Sequence, residues 1–82
     1  MRHARPEDLD RIEPLLTQLR AVETLTERKR GVFYRRSKAF LHFHEHEGEI
    51  LADVRGPQDW ERFSAARAKW SALLKRARQL AL

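Results

Sequence analysis

Two short stretches in which apolar side chains alternate, residues 39–45 and 50–54, constrain the fold of this chain more than any other feature. They are rich in aromatic and β-branched residues, and Glu47-Gly48 between them suits the turn of a β-hairpin. Because successive side chains point to opposite faces of a strand, a shift of one residue in the pairing would exchange the two faces. The alternation therefore predicts both a hairpin and its register.

The predicted register follows from matching apolar partners across this hairpin. It has the pairs Leu41 with Val54, His42 with Asp53, Phe43 with Ala52, His44 with Leu51, and Glu45 with Ile50. A shift by one residue would place Leu41 against Asp53 and Glu45 against Glu49, and both contacts are unfavourable. A further strand is predicted over residues 32–34, with Ser37-Lys38 as the turn that follows it.

The alternation also divides the predicted sheet into two faces. The core face consists of Val32, Tyr34, Leu41, Phe43, Ala52 and Val54. The outer face consists of Phe33, Arg35, Phe40, His42, His44, Asp53 and Arg55. Because Phe33, Phe40 and Leu51 on the outer face are apolar, we expect a helix, Trp60 or a second copy of the chain to cover it, so a homodimer is one predicted arrangement.

Helical periodicity is found at both ends of the chain. Over residues 6–22 an apolar stripe repeats at helical spacing, and Pro14 interrupts it. Either this helix kinks at Pro14, or a short turn over 7–12 leads into a main helix that begins there. Residues 23–30 are interpreted as a polar connection. The stripe of the C-terminal helix consists of Trp70, Leu73, Leu74, Ala77 and Leu80.

Residues 59–64 fit two structures. Trp60, Phe63 and Ala66 continue the helical period backward, whereas residues 60–63 could instead form a fourth strand. The sequence therefore predicts an α+β fold in a single domain over residues 1–82: a helix, a three- to four-stranded antiparallel meander and a C-terminal helix. Both helices are expected to pack on the core face of the sheet.

The residue types and segments that the sequence lacks exclude several classes of protein. The chain of 82 residues has no cysteine, which excludes disulfides, thiolate zinc sites and cysteine nucleophiles. No apolar run approaches the roughly 20 residues of a membrane span, and residues 1–6 do not lead into the apolar core of a signal peptide. We therefore expect no membrane segment and a cytoplasmic protein.

The string GVFYRRSKAFLHFHE at residues 31–45, followed by ADVR at residues 52–55, resembles a family of small uncharacterised bacterial proteins. The resemblance implies a leading helix, the strands that carry these strings, a strand that ends in ERF and a final helix. The ERF string at residues 61–63 matches and favours a fourth strand, while Ser64-Ala65-Ala66 departs from the strand-like pattern. A more distant similarity is to YjbR-like domains. These resemblances imply a fold and carry no activity.

The histidine-rich strand is the first candidate for chemistry. His42 and His44 lie two residues apart and so share a face, and the register places Asp53 beside His42. With Arg55 they form a candidate polar site. We interpret it as a structural pair in which Asp53 accepts a hydrogen bond from His42, and we predict no metal site and no cofactor. The alternative is metal binding by His42 and His44, with His46 continuing their row.

The basic segment over residues 28–38, which contains no acidic residue, is the second candidate. Its anion-binding residues would be Arg28, Lys29, Arg30, Arg35 and Arg36. Residues 62–82 are also free of acidic side chains, and the whole chain has a net charge of +5. Basic side chains neutralise phosphates and neighbouring aromatic rings stack on bases, so this pattern is compatible with a nucleic-acid partner.

No catalytic motif accompanies these candidates. The sequence contains no nucleophile elbow, no phosphate-binding loop and no paired-carboxylate spacing, and a lone His–Asp pair is more often structural than catalytic. We therefore predict a small non-catalytic binding or interaction module. The alternatives are a nucleic-acid-binding domain that uses residues 28–38 and the C-terminal helix, and a metal-dependent activity at the His42/His44 strand.

Overall fold

Prolines and turn residues divide the chain into ten short elements. The computed structural model describes all residues from Met1 to Leu82. In chain order the elements are β1 (Arg2–His3), α1 (Pro6–Arg11), α2 (Glu13–Arg20), β2 (Thr26–Lys29), β3 (Val32–Arg35), β4 (Lys38–His46), β5 (Glu49–Arg55), β6 (Trp60–Ser64), a single 3₁₀ turn (Arg67–Lys69) and α3 (Trp70–Leu80).

The six strands form one antiparallel sheet. Strands β2 to β6 lie side by side in chain order, and β1 pairs with β4. Strand β5 pairs along one edge of β4. On the opposite edge, β3 pairs with β4 up to Leu41, and β1 pairs with the residues beyond it. The predicted α+β class is confirmed, and the antiparallel sheet is larger than the predicted three or four strands because β1 and β2 add to it. None of the helices combines the length and apolar composition needed to cross a bilayer.

The central hairpin has the register that the alternation predicts. All five predicted pairs between β4 and β5 are present, from Leu41–Val54 to Glu45–Ile50. Glu47 and Gly48 form its turn, with φ values of 52° and 84°. In the preceding hairpin the turn residues are Arg36 and Ser37, one position earlier than predicted, with φ values of 53° and 71°. Two positive φ values in succession give the turn geometry that matches the twist of paired strands.

The face assignment of β3 is wrong in the sequence-based prediction. Phe33 pairs with Leu41 but Tyr34 pairs with Ala39, so Phe40 is an extra residue in a β-bulge. The pairing places Phe33 on the core face with Leu41, where it is fully buried, while Tyr34 is only half-buried. Phe40 is also buried in the core. Of the apolar residues predicted for the outer face, only Leu51 remains there, which removes the main argument for a covering second copy.

The other elements settle the alternatives that the sequence left open. The predicted helix is interrupted between α1 and α2. Pro14 lies at the start of α2, where its missing N–H costs no hydrogen bond. Residues 60–64 are a strand rather than a helical extension. Residues 26–29, interpreted as part of a polar connection, form β2 along the edge of β3. Leucines of α2 and α3 pack with Phe33, Leu41, Phe43 and Val54 in one core.

Candidate functional site

The face of the sheet opposite the helices carries polar side chains in rows. Cross-strand partners point to the same face, so each row crosses several strands. One row contains His3, His44, Leu51 and Ser64, and the next contains His42, Asp53 and Arg62. The predicted neighbours His42, His44 and Asp53 therefore do lie on the same face.

Three imidazole rings form a cluster on this face, which we call the histidine cluster: His3, His42 and His44. Ring centroids are 4.8 Å apart for His3 and His44 and 4.8 Å for His42 and His44, and the latter two rings meet edge to face. One nitrogen of each ring lies within 4.8 Å of a nitrogen of each other ring. His3 is exposed, and the other two are half-buried.

His3 was not predicted as a member of this cluster. A strand of two residues has no periodicity to detect, and the sequence suggested His46 as the third member of the row. His46 instead ends β4, about half exposed, with its Nε2 3.9 Å from a carboxylate oxygen of Glu47. It is not part of the cluster.

Contacts on the helix side of the sheet position β1 and therefore His3. Arg2 pairs with Asp8 of α1 at 3.0 Å and with Glu45 of β4 at 3.1 Å. The amide of Ala4 donates a hydrogen bond to the carbonyl of Phe43 at 3.1 Å. Asp8 is itself buried and accepts a hydrogen bond from the Arg5 amide at 2.9 Å. Because Arg2 points toward the helices, the alternation of β1 directs His3 to the outer face.

Asp53 is held by Arg62 rather than by His42, which corrects the predicted structural pair. Arg62 donates to both carboxylate oxygens, from Nε at 2.8 Å and from Nη2 at 3.1 Å. This pairing lowers the pKa of Asp53 below its ordinary value, although burial acts in the opposite direction. The prediction missed Arg62 because it left residues 59–64 open between helix and strand, and only a strand places this guanidinium beside Asp53.

The two inner histidines have nitrogens without hydrogen-bond partners. Nδ1 of His42 and Nδ1 of His44 are both buried and unpaired. The Nδ1 of His44 does lie 3.0 Å from an oxygen of Asp53, but the angle at this contact is not that of a hydrogen bond. Buried polar atoms are normally satisfied, so two unpaired nitrogens in one cluster point to a partner outside the chain or to a different orientation of the rings.

Burial lowers the pKa of His42, and the neighbouring ring of His44 lowers it further. The neutral form of His42 is therefore favoured near neutral pH. A neutral imidazole has a lone pair available, which is the form that binds a metal ion. At His42, burial therefore favours coordination over protonation.

Trp60 separates Arg55 from the histidine cluster. Its ring centroid lies 4.9 Å from that of His42, and the guanidinium of Arg55 lies 4.6 Å from the Trp60 ring. Arg55 was predicted to belong to the polar site with the histidines, but its Nε donates instead to the carbonyl of Ala39 at 2.6 Å. An open cavity of about 360 Å³, lined by His42, Asp53, Trp60 and Arg62, gives access to the cluster from this side.

The five residues of the predicted anion-binding set do not form one uniform patch. Arg30 pairs with Asp10 at 2.9 Å and with Glu13 at 2.8 Å, so acids of α1 and α2 compensate its charge. Arg35 donates from Nε to the carbonyl of Ala81 at 3.1 Å and also contacts the main-chain oxygen of Leu82. Arg28 lies over the ring of Tyr34, and Lys29 and Arg36 are exposed. None of these three forms an ion pair.

Comparisons with known proteins do not assign a function to this site. No protein-family model, no curated protein and no solved structure matches the chain. The resemblance to the small bacterial family with the GVFYR and ADVR strings, and the more distant one to YjbR-like domains, therefore stay predictions.

Proposed function

We propose that this protein is a small non-catalytic binding module whose ligand is a divalent transition-metal ion of the Zn²⁺ class, bound by His3, His42 and His44. The observation that carries the proposal is the convergence of three imidazoles from two paired strands, with ligand nitrogens within 4.8 Å of one another. Paired strands fix the backbone positions of the ligands, so only side-chain torsions need to change on binding.

The distances are within reach of a tetrahedral site. Zinc–nitrogen bonds of ~2.0–2.1 Å require ligand nitrogens roughly 3.3 Å apart. The rings of the histidine cluster would therefore have to approach one another by small rotations about their side-chain bonds. Three histidines are neutral ligands of borderline softness, which suits Zn²⁺, Co²⁺ and Ni²⁺ better than Mg²⁺ or Ca²⁺. The fourth position would face solvent.

Asp53 supports the same site as a hydrogen-bond acceptor for one of the histidines. A ligating histidine commonly donates its second ring N–H to a carboxylate, which fixes the tautomer and the orientation of the ring. Asp53 lies 3.0 Å from Nδ1 of His44, and a small rotation of the ring would make this contact a hydrogen bond. Arg62 keeps Asp53 ionised and in place, so the carboxylate is available as the acceptor.

The test is calorimetric titration of Zn²⁺ into protein freed of metal with a chelator. We expect one ion per chain, and we expect His3→Ala and His44→Ala each to weaken binding about 100-fold or more, because each removes a ligand. His46→Ala is the matched control, since His46 lies on the same strand outside the cluster. Absence of binding, or an equal loss in His46→Ala, would contradict the proposal.

A second candidate is binding to a nucleic-acid backbone, and one observation favours it. Arg35 of β3 hydrogen-bonds the main chain at the end of α3, so the two basic segments of the sequence meet there. Arg28, Lys29 and Arg36 on one side and Arg78 on the other are exposed without acidic partners.

This second candidate predicts a steep salt dependence. The logarithm of the affinity for a DNA or RNA duplex should fall linearly with the logarithm of salt concentration, because bound counterions are released. Replacing Arg28, Lys29 and Arg36 by glutamine should reduce that slope by about two to three. Fluorescence anisotropy with labelled duplexes measures both quantities. No binding at low salt would rule this candidate out.

A further inference from the structure

A second cavity lies at the start of β4 and the end of β5. It is where the end of the β3–β4 hairpin, the loop after β5 and the last turn of α3 meet, and it has a volume of about 260 Å³. We call it the basic pocket, and its principal lining residues are Arg35, Lys38, Phe40, Arg55, Pro57 and Leu80. It shares no residue with the histidine cluster.

The charges of the basic pocket are all of one sign. Three cationic side chains line it and no acidic side chain does. Lys38 and Arg55 form no ion pair anywhere in the chain, and Arg35 contacts only main-chain oxygens. Cations gathered in a concave site beside apolar walls raise the local concentration of anions more than the same charges on a flat surface.

The pocket is preformed rather than dependent on a rearrangement. Arg35 is tied to the end of α3 and Arg55 to the carbonyl of Ala39, so both guanidinium groups have fixed positions. Gly56 forms part of the wall, and a Cβ there would lie 2.5 Å from a carboxylate oxygen of Glu61 and 2.7 Å from the carbonyl oxygen of Asp59. A side chain therefore does not fit at Gly56, where the loop packs closely against Asp59 and Glu61.

Apolar side chains complete the pocket. Phe40 is buried behind it, and Leu80 and Pro57 border it. The guanidinium of Arg55 also lies 4.6 Å from the ring of Trp60, and only its Nε makes a hydrogen bond within the chain. The combination of an apolar wall with two uncompensated cations fits a ligand with an apolar body and one anionic group.

We propose that the basic pocket binds a small organic anion, with a carboxylate or phosphate group between Lys38 and Arg55 and an apolar body against Leu80 and Pro57. The volume is below the roughly 300–1,000 Å³ of sites for drug-sized ligands, so the ligand is the size of a single substituted ring. The proposal is independent of the metal site, since it rests on a different cavity, and it shares Arg35 with the nucleic-acid candidate.

The experiment is an NMR titration of the ¹⁵N-labelled full chain with three matched probes: benzoate, phenyl phosphate and neutral benzyl alcohol. We expect the two anions to shift the backbone amides of residues 38–40 and 55–56, and benzyl alcohol to shift them at least tenfold more weakly. Inorganic phosphate is the fourth probe. Binding as tight as that of phenyl phosphate would overturn the role of the apolar wall.

Two variants make the test specific. Lys38→Gln should weaken binding of both organic anions about tenfold, the loss expected for one charge-assisted contact. Lys75→Gln is the control, because Lys75 is an exposed lysine of α3 outside the pocket. Equal weakening in both variants, equal binding of benzyl alcohol, or shifts confined to residues 28–30 would each overturn the proposal.

Discussion

Phe33→Ala is expected to lower the free energy of unfolding by about 3–5 kcal/mol, which is enough to unfold much of a domain this small. Phe33 is fully buried, and it is the largest of the side chains with no exposed surface. Truncating it removes apolar surface from the core and leaves a cavity against Leu41 that the two paired strands cannot close. Urea denaturation followed by circular dichroism measures the loss.

The matched control for Phe33 is its neighbour. The sequence pattern assigned Tyr34 to the core and Phe33 to the outer face, whereas the bulge at Phe40 reverses both. Tyr34 is half-buried and packs on its exposed side against Arg28, whose guanidinium lies 4.7 Å from the ring. Tyr34→Ala should therefore cost only about 1 kcal/mol. A greater loss of unfolding free energy for Tyr34→Ala than for Phe33→Ala would show that Tyr34, and not Phe33, lies on the core face.

Arg62→Met is expected to lower the free energy of unfolding at neutral pH, measured with the chelator present so that no metal contributes. Removing one partner of a buried ion pair leaves the other charge without compensation. Asp53 is 7% exposed, while the side chain of Arg62 is about half exposed, so the loss is smaller than for a fully buried pair. The double variant that combines Arg62→Met with Asp53→Asn should recover part of the lost free energy of unfolding, because it also removes the carboxylate that has no partner.

The same pair predicts a pH dependence. The pKa of Asp53 in the folded chain lies below the ordinary value of 3.8, so its stabilising contribution is present above that value and is lost as the pH falls through the folded pKa. The difference in unfolding free energy between the wild type and Arg62→Met should thus be largest near neutral pH and shrink in acid. A difference that does not change with pH would contradict the assignment of Asp53 as the partner of Arg62.

The parts of the fold that could be predicted are those with a repeating pattern. From Leu41 onward β4 alternates, and its apolar residues match those of β5 across a glycine turn, so the register of this hairpin follows from the sequence. The same method failed for β3, because Phe40 and Leu41 are consecutive apolar residues in a bulge and a strict period of two cannot represent them. Strand β1 has only two residues, too few for any period.

The candidate site was predictable only in part for a related reason. His42, His44 and Asp53 belong to the patterned hairpin, and their shared face was therefore found. His3 and Arg62 reach this face from the first and the last strand, and their positions depend on pairings that no local pattern specifies. The sheet topology decides which side chains meet at a site that spans four strands.

The order of the strands has a consequence for the rate of folding. Every neighbour in the series β2 to β6 is also the next strand along the chain, with connections of two to four residues. Closing such short loops costs little chain entropy, so these hairpins can form early and in any order. The elements that must find partners far away in the sequence lie at the two ends of the chain: β1, α1 and α2 at one end and α3 at the other. The sheet should therefore fold quickly for its strand content, with the docking of the two chain ends as the last and slowest step.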